Sequence, residues 1–552
     1  MIKQWLEHCL DTHQETCPET ASRLPNRVID VGSNHRRPRL HTTDAKEKGN
    51  YCALSYCWGD SVAFRTETST YGERKTGFDL EALPKTIRDA VLLVRGLGIR
   101  YLWVDSLCII QDSVLDWECE AALMGDIYSR AFIVIAAVDA PDNDTGLFHE
   151  DERRRIQRVG ADHESVFVRQ DFHNGVAGWG NGQPIKQLTE NALHKRGWTL
   201  QEVALASRMV WFKSGEISWS CVRSTACECR PELLNIIHSE NYKSHLLQTI
   251  AYLRSSGANR SQWLEKWHSF VGDYCTRKFS DVRDRLPAIA GVAIKMQGEI
   301  NCRYLFGFWD NETFLDRLIW HCNKAPKHES SFDPRHFPPC DYAPTWSWAS
   351  CSVSSEPGWL APKLRYTNVW ILESMKIDLS TSNPFGPGRG ALHLHSLIVP
   401  VTRDFKDSRQ IRYSGPMKDT ITSRSESKIA SRVAVMLLRN SGFELNDSRI
   451  DYVHTSDWYQ GKELSFIFGK IDDKTKSGEF VGLLLERLEG AERGLHRYRR
   501  LGLIVGSFAR PSEVQVGTSW EIEKRTRSEI IFVKPTWEYW QKLGKWETIV
   551  LV

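Results

Sequence analysis

Two acids stand where a carboxylate could do chemistry, at the end of an apolar run or beside an apolar face. Asp105 closes "YLWV", and Glu120 follows Trp117 by three residues in "DWECEAALMGDIY". At about 100° per residue, Trp117, Ala121, Met124 and Tyr128 share a helical face. Glu120 lies within about 60° of Trp117 at its edge, whereas Asp126 points about 180° away. The spacing therefore predicts that Glu120 is half-buried, where desolvation perturbs a carboxylate. Ligands of open α/β sheets gather beyond the carboxyl ends of strands. Asp105 ends one such strand, and Ser55 to Asp60 end another. Structural roles suit the same residues: Asp105 as a brace for the following loop, Glu120 as an ion-pair partner, Trp117, Met124 and Tyr128 as core, and Trp58 as a plug in the sheet.

A second constellation runs from 196 to 202, "RGWTLQE". Arg196 could grip a phosphate bidentately, with the Trp198 indole and the Gln201 amide close by. Thr199 and Glu202 have the T-x-x-E spacing of a capping box, which assigns Glu202 to a helix start, and Arg196 equally suits an internal ion pair. Cys9, His13 and Cys17 fall four apart on one helix face, and Cys227 and Cys229 lie near Cys221. Each set is a partial zinc donor set without a clean fourth ligand or a finger spacing, so buried thiols are the expectation and no metal is assigned. A Cys108–His194 nucleophile is disfavoured by the apolar run around Cys108. No Walker A loop, G-x-S-x-G elbow or H-E-x-x-H pair occurs, and "GWGNG" at 178–182 lacks the strand–helix setting of a dinucleotide fingerprint.

Positioning these residues requires a sheet. "YCALSYCWG" (51–59) reads as a short buried strand ending at a Gly59-Asp60 turn. "LPKTIRDAVLLVRGLG" reads as a helix with Pro84 early and Gly96 and Gly98 closing it. "YLWVDSLCI" reads as a strand, followed by a helix from about Ser113, then "AFIVIAAV" as a strand. This β-α-β-α-β order predicts a parallel α/β sheet. A strand at 208–212, helices over about 240–320, a Pro- and Ser-rich boundary at 324–345 and a β-rich remainder follow. In that remainder "RVAVMLL" and "EIIFV" read as strands and "EFVGLLLERLEG" is ambiguous. The divisions expected are a helical or extended lead-in (1–49), an α/β domain (50–205), a mostly helical middle (206–330), an irregular linker (331–390) and a β-rich region (391–552).

Bulk composition narrows the function classes. The 552 residues carry 72 Lys and Arg against 69 Asp and Glu, a net charge of +3 that gives no electrostatic case for nucleic acid. Fourteen scattered Cys do not form a compact disulfide scaffold, and 21 Trp bring many N–H groups that need partners. "MIKQWLEHCLDTHQET" has no apolar signal region, and no run of about eighteen apolar residues suggests a membrane span. A soluble cytoplasmic protein is expected.

"YCALSYCWGD", "LPKTIRDAV", "GIRYLWVDSLCIIQD", "DWECEAALMGDIYSRA" and "RGWTLQE", in this order, resemble the heterokaryon-incompatibility (HET) domain of filamentous fungi over about residues 50–205. "WHSFVGDYCTRKFSDVRDRLPAIAGVA" and "YAPTWSWAS" are similar to segments that commonly follow it. The resemblance implies non-self recognition and regulated cell death, with other incompatibility or signalling proteins as partners. That family is distantly similar to TIR domains, some of which cleave NAD with a helix-borne Glu. This implies a TIR-like parallel sheet flanked by helices, self-association through the domain, NAD as substrate with no cofactor, and Glu120 as the catalytic acid. Glu120 would hold the ribose hydroxyls and stabilise the charge that develops as nicotinamide leaves. Ser55, Trp58, Asp105, Trp117, Arg196, Trp198 and Gln201 are the candidate substrate contacts, with Trp58 stacking on a ring and Arg196 meeting the diphosphate. TIR enzymes place the Glu four residues after this Trp, where this chain has Ala121. The alternatives are a non-catalytic signalling adaptor of the same pathway and a degenerate paralogue without death activity.

Overall fold

A computed structural model describes residues 1–17, 21–33, 35–44, 46–59, 64–148, 157–159, 166–168, 191–213, 216–228, 230–235, 246–322, 342–350, 357–359, 367–381, 383–404, 410–413, 449–450, 464–471, 479–492, 494–507 and 544–552. The chain divides into two compact units, Met1–Asn301 and Cys302–Val552. The expected strands "RVAVMLL" and "EIIFV", the "GWGNG" segment, Asp60 and Cys229 lie outside the described residues.

The first unit is built on one mixed sheet. Its elements in chain order are α1 (Ile2–Thr12), β1 (Arg27–Asp30), β2 (Arg39–Thr42), β3 (Tyr51–Ser55), α2 (Lys85–Leu97), β4 (Tyr101–Trp103), α3 (Val114–Arg130) and β5 (Ile133–Ala137). They continue with α4 (Thr199–Ala204), β6 (Arg208–Phe212), β7 (Ile217–Cys221), β8 (Ser224–Cys227), β9 (Arg230–Asn235), α5 (Leu246–Ser255), α6 (Arg260–Cys275) and α7 (Pro287–Ile300). The strand order is β9-β8-β7-β6-β5-β3-β4-β1-β2. The four middle strands β6, β5, β3 and β4 are mutually parallel, and the strands on both sides add antiparallel. Every residue of β3 and β5 is buried, as expected of strands covered on both faces. The parallel α/β expectation therefore holds at the centre, while Arg27–Thr42 and Ile217–Asn235 widen the sheet with antiparallel strands.

The local rules that form these elements are visible. In α2, Ile87, Ala90, Val91 and Val94 are buried on one stripe, and Pro84 is the residue just before the first turn. The helix runs through Gly96 and closes at Gly98, whose φ of +78° lets the Ile99 N–H reach the Val94 carbonyl at 3.1 Å. β4 is shorter than its apolar run. Asp105 Oδ1 accepts the Ser106 N–H at 2.7 Å and turns the chain into a helical turn, Asp105–Cys108. Ser113 caps α3 by accepting the Asp116 N–H at 3.3 Å. α3 and α7 cross closely: a Cβ on Gly125 would lie 2.7 Å from the Gly291 Cα.

The second unit is β-rich. Its main sheet includes Ile371–Leu379, Gly388–Asp404, Leu464–Ile471, Glu479–Glu492, Leu495–Ser507 and Lys545–Leu551. "EFVGLLLERLEG" is a strand, paired on both edges. Three of this unit's tryptophans place their N–H groups on backbone carbonyls: Trp320 on Trp346 (2.9 Å), Trp346 on Gly390 (3.2 Å) and Trp348 on Gly307 (3.1 Å). The fully buried Arg500 stacks 3.8 Å from the Trp320 ring centre and donates to the Leu318 and Trp320 carbonyls.

Candidate functional site

Parallel packing of β3 beside β4 brings Ser55 and the segment from Val104 onward to one edge of the sheet. Ser55 is fully buried at the last position of β3, and its hydroxyl donates to Glu202 Oε2 on α4. Trp58, just past that strand, donates its indole N–H to Asp105 Oδ2 at 2.9 Å. Tyr56 donates to the Ser106 hydroxyl at 2.8 Å, and its carbonyl accepts the Arg196 guanidinium. Arg196 faces both Glu202 and Asp105 electrostatically. Tyr128 of α3, donating to the Leu54 carbonyl at 3.0 Å, closes the cluster beside Glu202. The sheet's carboxyl edge thus carries two carboxylates and one guanidinium, with hydroxyls and an indole around them.

The electrostatics follow from burial. Desolvation raises the Glu202 carboxyl from an ordinary 4.5 to about 7, against the opposing pull of Arg196 and the Ser55 hydroxyl. Burial likewise raises Asp105, with Arg196, the Ser106 N–H and the Trp58 indole pulling it down. A carboxyl that titrates near neutrality beside a fixed cation can hold or release a proton at working pH.

Glu120 sits in a different ion network. It is 1% exposed, so it is more enclosed than the half-buried position its helical angle predicts. Asn26 donates to its Oε1 at 2.9 Å and Arg27 at 3.2 Å. Arg27 also clasps Asp116 at 2.6 and 2.8 Å and reaches the Cys108 carbonyl at 2.5 Å. Glu120 Oε2 is buried with no hydrogen-bond partner, and burial raises this carboxyl too.

The remaining expected contacts separate. Trp198 donates to Asp284 Oδ2 at 2.9 Å, and Trp117 packs edge-on against it at 6.4 Å. Gln201 accepts the Gly291 N–H at 2.7 Å, where α4 meets α7, while its Nε2 is buried without a partner. Cys108 and His194 have different surroundings. Burial raises the Cys108 thiol to about 12, and His194 stacks on Trp211 with its pKa pushed down to about 3 by burial first and then by Arg277 and Lys213. Ser55, Trp58, Asp105 and Arg196 are therefore brought together, and Trp117, Trp198, Gln201 and Glu120 are held by other partners.

Glu202 is the residue that the capping-box spacing hides. Trp198, at the cap position, is itself helical, and the Thr199 hydroxyl contacts the Leu193 and Arg196 carbonyls at 2.7 and 2.8 Å. No capping box forms, and Glu202 turns inward. The sign available in the sequence was its apolar neighbourhood, "LQEVALA", in a helix too short to leave room for a solvent face.

The family described as "Heterokaryon incompatibility protein (HET)" matches residues 51–202, a span that runs from β3 to Glu202. Residues 51–202 are a HET domain. Over 204 residues the chain is 24% identical to heterokaryon incompatibility protein 6, OR allele, of Neurospora crassa, covering 31% of this chain and 30% of that relative. The match thus spans less than a third of the relative's length. No solved structure matches the chain. Ser55, Asp105, Arg196 and Glu202 all fall inside the HET domain, whereas β1 with Arg27 and the strands after Glu202 fall outside it. No helix among the described residues is long and apolar enough to cross a membrane.

Proposed function

We propose that this chain acts in fungal heterokaryon incompatibility, as a non-self recognition protein whose HET domain drives regulated cell death by cleaving the glycosidic bond of a nicotinamide dinucleotide. The observation that carries this reading is the gathering of Ser55, Asp105, Arg196 and Glu202 at the carboxyl edge of the parallel strands. That edge is where open α/β sheets bind nucleotides, and a carboxyl raised by burial beside a specific charge partner at such an edge is the electrostatic mark of a functional site.

In this reading Arg196 meets the diphosphate and Trp58 offers its ring face to a base or to nicotinamide. The C1′–N1 bond breaks with its electron pair leaving on nicotinamide, and a carboxylate stabilises the cationic sugar until water adds at C1′ and sheds its proton. Two carboxylates are available. Glu202 shares the cluster with Asp105 and Arg196, whereas Glu120 is the acid indicated by the TIR-like resemblance and is paired with Arg27. A TIR-like module of this kind would act as a self-associated assembly, with other incompatibility proteins as its triggers.

The alternative, a non-catalytic adaptor, draws on the internal pairing of Glu120 with Arg27 and Asn26. Expression in a fungal host separates the readings. Death by the wild-type chain, with loss in Glu202→Gln and retention in Glu120→Gln, supports cleavage at the strand edge. The reverse pattern moves the catalytic role to Glu120. Death that persists in both variants and in their combination assigns the chain to the adaptor class.

A further inference from the structure

Three thiols and an imidazole gather where β6 begins, at the end of the sheet opposite the carboxyl-edge cluster. The Sγ atoms of Cys9, Cys17 and Cys221 all lie within 4.8 Å of one another and are buried. His13, 8% exposed, brings its Nδ1 to 3.5 Å from Cys221 Sγ. We propose that Cys9, His13, Cys17 and Cys221 form a structural zinc site that fastens the N-terminal helix to the antiparallel strands that extend the sheet beyond the HET domain.

The geometry suits a tetrahedral ion. Zinc–sulfur bonds of about 2.3 Å place two thiolates about 3.8 Å apart, and a thiolate and an imidazole about 3.6 Å apart. The three sulfur spacings need only a small contraction around a central atom, and His13, already 3.5 Å from Cys221 Sγ, must turn its ring toward that atom to complete the set. All four donors are enclosed, as in the closed sites that zinc uses for structure rather than catalysis.

The local fold explains how the donors converge. Cys9 lies on α1, and His13 is the residue that ends it. The His13 carbonyl then accepts the N–H groups of Thr16 at 3.0 Å and Cys17 at 2.7 Å, which curls the chain back and returns Cys17 to the cluster. Cys221 is the last residue of β7, before the turn into β8. The Ser224 N–H and hydroxyl lie 3.3 and 3.2 Å from its sulfur, contacts of the kind that orient and stabilise a bound thiolate. Arg208, paired across from Cys221 in the sheet, donates to the Cys17 carbonyl and brings a positive charge toward a three-thiolate site. In the sequence these cysteines fall into two incomplete sets. Folding removes Cys221 from the second and makes it the fourth ligand of the first.

Binding would displace thiol protons to solvent and close a loop that contains the whole HET domain, so that metal affinity becomes folding free energy. Metal analysis of the full chain, purified under reducing conditions, tests this directly. One zinc per chain is expected, falling at least tenfold in Cys9→Ser and Cys221→Ser and unchanged in Cys119→Ser, an exposed thiol outside the cluster. Because a misfolded variant would also lose zinc, the wild-type chain is stripped with a chelator and titrated with cobalt(II). A thiolate-to-cobalt charge-transfer band saturating at one equivalent supports the site. Absence of both stoichiometric zinc and that band, or a mass two hydrogens low from a disulfide within the cluster, overturns it.

Discussion

Glu202 and Glu120 lie in the same sheet-and-helix framework and differ in what desolvates and neutralises them. Because the folded-state pKa of Glu202 is raised, its stability contribution is full below the unfolded value near 4.5 and is lost as pH rises through about 7. Glu202→Gln should therefore melt progressively higher relative to wild type between pH 5 and 7. At about 1.4 kcal/mol per unit, the difference reaches at most about 3 kcal/mol, reduced by whatever Arg196 loses with its partner. Parallel melting curves across that range would show that Glu202 does not ionise there. Arg27 has the opposite role: it neutralises Glu120 and Asp116 together. Arg27→Met should cost about 3 kcal/mol in denaturant unfolding, because it leaves buried charge unpaired, and adding Glu120→Gln should recover part of the loss.

The elements that frame the site depend on a few contacts that can be removed one at a time. Replacing Gly291 by Ala in α7 gains up to about 1 kcal/mol of helix propensity. The new Cβ would, however, lie 2.5 Å from Gln201 Oε1 and 2.7 Å from the Gly125 Cα. Overpacking of this kind costs about 1–3 kcal/mol, so Gly291→Ala should lower the melting temperature, and an unchanged or higher value would refute the close crossing. These elements also mark where sequence reading succeeds and where it stops. Apolar periodicity and turn residues locate α2, α3, β3 and β5 because those signals are local. The antiparallel β1, Arg27–Asp30, was not legible: four residues are too few to show a period, and the strand is defined by pairing with β2 and, at Ile29 and Asp30, with the distant β4. The inward turn of Glu202 was signalled only by its apolar neighbours and was masked by the T-x-x-E spacing, which a helix of six residues satisfies whether or not its cap forms. Ser55, Trp58 and Asp105 could be grouped from sequence because strand ends in a parallel sheet converge by topology, whereas Arg196, at no strand end, was joined to them only by the resemblance. Which acid joined them depended on side-chain direction.

At the scale of the whole molecule, the sheet extends beyond the HET domain on both sides, and Met1–Asn301 is a compact unit. Residues 1–301 should express as a soluble, cooperatively unfolding protein. A chain cut to 50–205 exposes the edge of β4, which β1 covers in the full unit, and should aggregate; a soluble, folded 50–205 would show that the flanking strands are dispensable. Turnover tests most directly whether NAD is cleaved at the carboxyl edge of the parallel strands. Free nicotinamide is measured after concentrated, purified protein is incubated with NAD. The account expects release by the wild-type chain and at least a hundredfold less from a folded Glu202→Gln variant. No release by wild type under any degree of self-association, or equal release by the variant, would contradict it.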